Sequence, residues 1–238
     1  MNAMTRAETG LRAVILQHED PTPPGHVTEW LDQHGAEQEV FRIDLEDRDL
    51  DPTAYDLIVS LGSEFAAFDE SHAFVPREYR LMERAVDADV PILGLCFGGQ
   101  MLARVLGGRV YRGADAEIGW LPVRTRDPEL VPAGPWFQWH FDIIEPPRDS
   151  DVVAETDLGA QAFVHGRTLG LQFHPEVTPE IMDEWVRAYP HELEAEGVDP
   201  QRLLEETNRR AREAKRTSWR LLERFWDQVA RLSSRVAP

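Results

Sequence analysis

The stretch PILGLCFGGQMLARVLGG, residues 91–108, passes from an apolar run into an amphipathic one with no loop between them. Its first half, PILGLC (91–96), reads as a buried strand. A helix is predicted from Gly98 to the Gly107–Gly108 pair, where a missing Cβ permits the left-handed turn that ends helices. The chain's single cysteine, Cys96, falls on the junction, with Gly94 two residues before it and Gly98 two after. This is the nucleophile-elbow pattern with Cys in place of Ser: a tight turn thrusts the side chain out of the sheet, and only small neighbours leave room for that turn. The helix start aims free N–H groups and the positive end of its dipole at the sulfur, a setting that activates a thiol and can hold an oxyanion. Taken alone, G-x-C-x-G reads equally well as a structural cysteine closing a core strand. A partner base decides between the two.

On the N-terminal side, the runs LRAVILQ (11–17), EQEVFRID (37–44) and DLIVSLG (56–62) are strand-like and bounded by turn formers. Amphipathic stretches, VTEWLDQH (27–34) and PREYRLMERAV (76–86), lie between strands. Alternation of this kind predicts an α/β fold with a mainly parallel central sheet sandwiched by helices. From 109 to 174 the runs become closely spaced (RVYRG, IGWLPVRT, WFQWHFDII, VVAET, QAFVHG, TLGLQFH), which predicts antiparallel strands and hairpins. Beyond 178, Thr178–Pro179 and Asp199–Pro200 each place a capping oxygen before a proline at the first helical position, so helices follow.

The formal net charge of −18 over 238 residues repels phosphate backbones and anionic lipid, which argues against nucleic-acid and membrane partners. Against that acidic body, residues 201–238 carry ten Lys/Arg and five Asp/Glu. The plain reading is a C-terminal helix lying on the body through Leu204, Ala211, Ala214, Leu221, Leu222, Phe225, Trp226 and Val229; a dimer or partner contact is the sharper one. One cysteine excludes a disulfide framework and any cysteine-based zinc cluster. His140, Asp142 and His165 lack a metal-specific spacing, and neither a G-x-G-x-x-G nor a P-loop pattern is present, so no metal and no cofactor is expected. With no apolar leader or membrane-length segment, the expected location is the cytoplasm.

The candidate base is His174 in LQFHPE (171–176), at the end of an alternating run, with Glu176 two residues on. Cysteine, histidine and carboxylate supply a nucleophile, a proton shuttle and a group that fixes the imidazole tautomer. With PILGLCFGGQMLARVLGG (91–108), QWHFD (138–142) and LGLQFHPEV (169–177) in that order, the chain resembles the class I (triad) glutamine amidotransferases, above all the glutamine-hydrolysing domain of GMP synthase and its stand-alone relatives.

The resemblance covers roughly residues 11–190 and implies a flavodoxin-like αβ sandwich, with a catalytic domain over 1–190; residues 191–238 lie outside it and are read from their helix signals as a C-terminal helical extension packed on that domain. It implies that Cys96 attacks the side-chain amide of glutamine to form a γ-glutamyl thioester, that His174 shuttles protons and that Glu176 orients it. It implies an oxyanion hole from the N–H groups of Gly62 and Phe97, and substrate contacts from Gln100, Trp139 and His140. Two departures stand out. Ser60-Leu61-Gly62-Ser63 replaces the family's S-G-G-P, and Trp139-His140-Phe141-Asp142 replaces S-H-G-D, which alters the pocket. The aromatic run WFQWHF also reads as a plain core strand. Ammonia is consumed by ATP-dependent synthetases, so the resemblance implies such a subunit as partner. A free-standing hydrolase of γ-glutamyl peptides or amides is the alternative, and a non-catalytic binding module is a third reading that an intact Cys-His-Glu set opposes.

Overall fold

Strands β1 (Arg12–Gln17), β2 (Glu37–Arg42), β3 (Leu57–Ser60) and β4 (Ile92–Leu95) form the parallel part of one ten-stranded sheet in the computed structural model, which describes residues 10–232. They are followed by β5 (Arg109–Leu121), β6 (Arg124–Thr125), β7 (Trp136–Glu145), β8 (Asp151–Glu155), β9 (Ala160–His165) and β10 (Thr168–Leu171). The order across the sheet is β2-β1-β3-β4-β10-β9-β7-β5, with β6 and β8 paired beside β9. Its first five strands follow the flavodoxin-like pattern, in which sites form at the carboxyl ends of the parallel strands.

Residues on β1, β3, β4 and β10 are buried on both sides, which explains their nearly continuous apolar runs, whereas β2 is the edge strand and buries only Phe41. Ala13 and Ile15 face one core with Val59, Leu93 and Leu95, while Val14 and Leu16 face the other with Ile58 and Ile92. Helix α1 (His26–Gln33) covers the first face, and α2 (Phe74–Asp87) and α3 (Phe97–Val105) cover the second. The boundaries differ from the sequence expectation by one or two residues; α3 starts at Phe97 rather than Gly98.

The second half departs from the expected run of hairpins at one strand. β10 is antiparallel to β9 but parallel to β4, matching Gly170 with Gly94 and Leu171 with Leu95. Residues 168–171 thus complete the parallel core, and the chain leaves β10 beside the end of β4. The two runs expected at 109–113 and 118–125 are largely one strand, β5, continued through a bulge between Arg112 and Glu117.

Helices α4 (Pro179–Ala188), α5 (Pro190–Ala195) and α6 (Pro200–Arg224) follow. Thr178 Oγ1 accepts from the Ile181 N–H, and Asp199 Oδ1 from the Gln201 N–H at 2.9 Å, the caps the two X-Pro pairs predict. The end of α6 and the π-turn Phe225–Val229 bury Leu221, Leu222, Phe225, Trp226 and Val229 in the same core as β1. Leu204, Ala211 and Ala214, expected on the packed face, are only half-buried, and the first half of the helix turns Leu203 and Thr207 inward instead. Trp120 on β5 sets this rotation: its indole N–H donates to Thr207 Oγ1 at 3.0 Å. Bonds from Trp30 Nε1 to Glu223 and from Lys215 to Glu29 tie α6 to α1.

Candidate functional site

Cys96 sits between β4 and α3 with φ 48° and ψ −104°, a backbone conformation that side-chain-bearing residues rarely adopt. Its surroundings hold it there. The Cys96 N–H donates to Leu171 O on β10 at 2.8 Å, and its carbonyl accepts from the Gln100 N–H at 2.9 Å. The flanking glycines are required by close approach: a Cβ on Gly94 would lie 2.4 Å from Gly98 O, and one on Gly98 would lie 2.3 Å from Ser60 O. The elbow read from G-x-C-x-G is therefore a packed junction of β3, β4 and α3.

His174 follows β10 by three residues, and its N–H donates to Phe137 O on β7 at 2.9 Å. Its Nδ1 stands 2.7 Å from Glu176 Oε1, with both side chains almost fully buried. A carboxylate there accepts, so Nδ1 carries the proton and Nε2 is the nitrogen left over. Nε2 is buried with no hydrogen-bond partner among the described residues. Burial alone would lower the imidazole's pKa, but the charge of Glu176, and after it Cys96, outweighs burial and raises it to about 10. The edge of Trp185 packs on the ring at 4.7 Å between centroids.

The loop that carries His174 and Glu176 is clamped from two sides. Gly25, just before α1, lies so close that a Cβ there would meet Glu176 O at 2.0 Å, and the next residue's N–H donates to the same oxygen at 3.1 Å. From α6, Ser218 Oγ donates to the carbonyl of Pro175, the residue between them.

Gly62 and Phe97 border the same spot. A Cβ on Gly62 would lie 2.9 Å from His174 Cε1 and 3.7 Å from Cys96 Cβ. Phe97 is the first residue of α3, so its N–H belongs to the free helix start. Above them opens a pocket of about 70 Å³, lined by Cys96 and His174, by Gln100, Trp139 and His140, and by Ser63, Glu64, Arg112, Phe141, Asp142, Trp185, Tyr189 and Glu192. Every site residue singled out from sequence thus lies in or beside one pocket. Trp139 meets both descriptions offered for its strand: it is buried in the core under α4, and it lines the pocket, its indole N–H donating to Glu192 at 2.6 Å.

Polar side chains behind the pocket are joined. Gln172 Nε2 lies 3.7 Å from Cys96 Sγ, and Gln100 Nε2 donates to Gln172 Oε1 at 3.4 Å. Glu117 accepts from His140 Nε2 at 2.9 Å and from Gln161 at 2.7 Å. Burial raises the Asp142 carboxyl, partly offset by Arg112, whose guanidinium stacks 4.2 Å over the Phe141 ring. Sequence reasoning missed Gln172, Trp185, Tyr189 and Glu192. Gln172 lay inside a quoted motif, where strand alternation toward Cys96 marks it; the other three look like ordinary helix residues until α4 and α5 fold over the pocket.

Residues 26–187, more than half of the chain, match the family glutamine amidotransferase class-I. Among curated relatives, a glutamine-hydrolysing GMP synthase of Thermus thermophilus is 36% identical over 154 residues, 59% of this chain and 30% of that protein. One from Aeropyrum pernix is 34% identical over 109 residues, covering 40% and 21% respectively. The chain thus spans less than a third of the length of these relatives. Among solved structures, a glutamine amidotransferase of Thermotoga maritima superposes with a TM-score of 0.83 at 33% identity, covering 91% of this chain and 98% of that one. A span of that size cannot fit within residues 11–190, so the likeness reaches further than the sequence resemblance. A glutamine amidotransferase from Methylobacillus flagellatus shares the fold with a TM-score of 0.83 at 23% identity, covering 93% and 96%.

Proposed function

The chain belongs to the class-I glutamine amidotransferase family, and from that premise we propose that it hydrolyses the γ-amide of glutamine through a thioester on Cys96. One observation carries the reading: His174, fixed through Nδ1 by Glu176, has a buried and unpartnered Nε2 in the pocket that Cys96 lines.

In this reading Sγ of Cys96 attacks the amide carbon with its proton already held on His174 Nε2, the imidazole whose charged form Glu176 favours. The carbonyl oxygen becomes an oxyanion held by the N–H groups of Gly62 and Phe97. His174 then protonates the amide nitrogen, the C–N bond breaks, ammonia leaves and a γ-glutamyl thioester remains. Water, deprotonated by the same imidazole, attacks the thioester; the C–S bond breaks, and glutamate and the thiol are restored. Glu176 keeps the imidazole in one tautomer and stabilises its charged form. Gln100, Trp139 and His140 contact the substrate. Residues 1–190 act as the catalytic unit and 191–238 as its extension, of which the described part, 191–232, is largely helical and packs on it, residues 1–9 and 233–238 lying outside the described residues.

The released ammonia serves an ATP-dependent synthetase on another subunit, and the setting is cytoplasmic, where a nucleophilic thiol stays reduced. The relatives named as glutamine-hydrolysing GMP synthases support a link between this chemistry and a synthetase. A second reading, a free-standing hydrolase of γ-glutamyl amides or peptides, is favoured by the aromatic wall of Trp139, Phe141 and Trp185, which can hold a leaving group larger than ammonia.

The test is glutamate release by the purified protein from L-glutamine and from a panel of γ-glutamyl amides and peptides, with Cys96→Ala as the blank. Cys96-dependent turnover of glutamine supports the first reading, and a panel member turned over well above glutamine supports the second. No Cys96-dependent release from any compound, with or without a co-purified synthetase, overturns both.

A further inference from the structure

A second buried histidine–carboxylate pair lies behind the site. His18 follows β1 directly, and its Nε2 stands 2.7 Å from Glu78 Oε2 on α2, both side chains fully buried. Ser60 Oγ, at the end of β3, donates to the other oxygen of Glu78 at 2.5 Å. The second ring nitrogen of His18, Nδ1, donates to the carbonyl of Gly62 at 3.1 Å. The ring also packs against Phe97, with centroids 4.5 Å apart. His18 therefore touches both residues that border Cys96 with candidate oxyanion donors.

A buried ion pair is a weak source of stability compared with an apolar pair of the same volume, so its stability does not account for this one. The backbone it contacts points to another role. Gly62 has no Cβ, so rotation about its φ and ψ costs little unless something holds it. Peptides are rigid planes, so pinning the carbonyl on each side of Gly62 fixes both dihedrals. The carbonyl before it, Leu61 O, accepts from the Gly98 N–H at 3.1 Å, and the carbonyl after it is the one held by His18. With the charge of Glu78 beside it, the His18 imidazole is held toward its charged form against the cost of burial, so Nδ1 stays a donor.

We propose that His18, buried against Glu78 and Ser60, is a positioning residue that fixes the Gly62 peptide for oxyanion binding beside Cys96. The inference rests on the thioester reading above and adds to it a residue outside the Cys-His-Glu set.

Two substitutions separate the two bonds of the ring. His18→Asn leaves an amide N–H near the position of Nδ1, keeping the bond to Gly62 and losing the one to Glu78; His18→Gln does the reverse. With the best γ-glutamyl substrate of the wild-type protein, H18Q lowers kcat about 10- to 100-fold with KM changed no more than about threefold, below the loss from deleting a direct oxyanion donor. H18N loses only about threefold. Alkylation of Cys96 by iodoacetamide, which forms no oxyanion, proceeds at the wild-type rate in both.

Equal losses in H18N and H18Q that track their melting temperatures, or an H18Q with wild-type kcat, overturn the inference. Should H18Q fail to fold, Ser60→Ala, which keeps the ion pair and frees one side of Glu78, is expected to lower kcat about threefold at unchanged KM, and an unchanged kcat overturns it. A wild-type protein without Cys96-dependent turnover overturns the underlying reading and this inference with it, whereas an active wild type matched by H18Q overturns this inference alone.

Discussion

His174 Nδ1 and Glu176 Oε1 stand 2.7 Å apart with a single proline between their residues in the chain. So short a separation along the backbone leaves little freedom: Pro175 fixes its own φ, and the clamps from Gly25 and Ser218 hold the peptides on either side. The pair is thus oriented by its own loop and by two distant elements, before any substrate arrives.

Stability depends on pH through this pair. The His174 pKa rises from 6.5 to about 10 on folding, so its charged form stabilises the protein fully below pH 6.5 and loses that contribution as pH climbs toward 10. The melting temperature should fall between pH 7 and pH 10 in the wild type. Glu176→Gln removes the main raising influence and should flatten that decline, which calorimetry across the pH range will show.

The same substitution should lower kcat by about 100-fold or more, because it weakens the imidazole as an acid–base group and leaves its tautomer free. Steady-state kinetics at several pH values check this. Unchanged kcat in a folded Glu176→Gln would remove Glu176 from the mechanism.

Alanine at two glycines should separate activity from folding. At Gly62 the new Cβ meets a side-chain atom, His174 Cε1 at 2.9 Å, so the imidazole shifts and kcat falls at least about tenfold with little loss of stability. At Gly98 it meets backbone, Ser60 O at 2.3 Å, which cannot yield; destabilisation of about 1–3 kcal/mol or failure to fold is expected. Urea unfolding and kinetics on both variants give the comparison.

Ser218→Ala leaves the Pro175 carbonyl without its donor in a buried setting, at a cost of about 1–3 kcal/mol. The loop it clamps carries both His174 and Glu176, so kcat should fall along with the melting temperature. Loss of stability at full kcat would assign the bond to folding only.

Trp139→Ala opens the pocket wall and frees Glu192 from the indole N–H. The ratio of kcat/KM for bulky γ-glutamyl amides to that for glutamine should rise. A fall in that ratio would mean that the indole binds the leaving group.

The elbow cysteine, its flanking glycines and the His-Pro-Glu loop were legible because each depends on residue types at short spacing, where the chemistry permits few substitutes. Strand runs were legible for a similar reason: a strand buried on both faces, such as 12–17, has little choice but to be apolar throughout. The direction of β10 was not legible. Its apolar residues suit a parallel or an antiparallel neighbour alike, and only pairing with β4 makes it part of the core. His18 and Glu78 were also beyond reach, being 60 residues apart on different elements, with nothing local to mark either as buried. The face of the second half of α6 was legible, but that of its first half was misjudged because a single indole on β5 selects Thr207 over its neighbours.

The bond from Ser218 to Pro175 also orders events during synthesis. Cys96 leaves the ribosome before the loop with His174 and Glu176, and the helix that clamps this loop emerges after both. A nascent chain therefore carries Cys96 well before the loop of His174 and Glu176 can be clamped, and the geometry of that pair is completed only once Ser218 has been made.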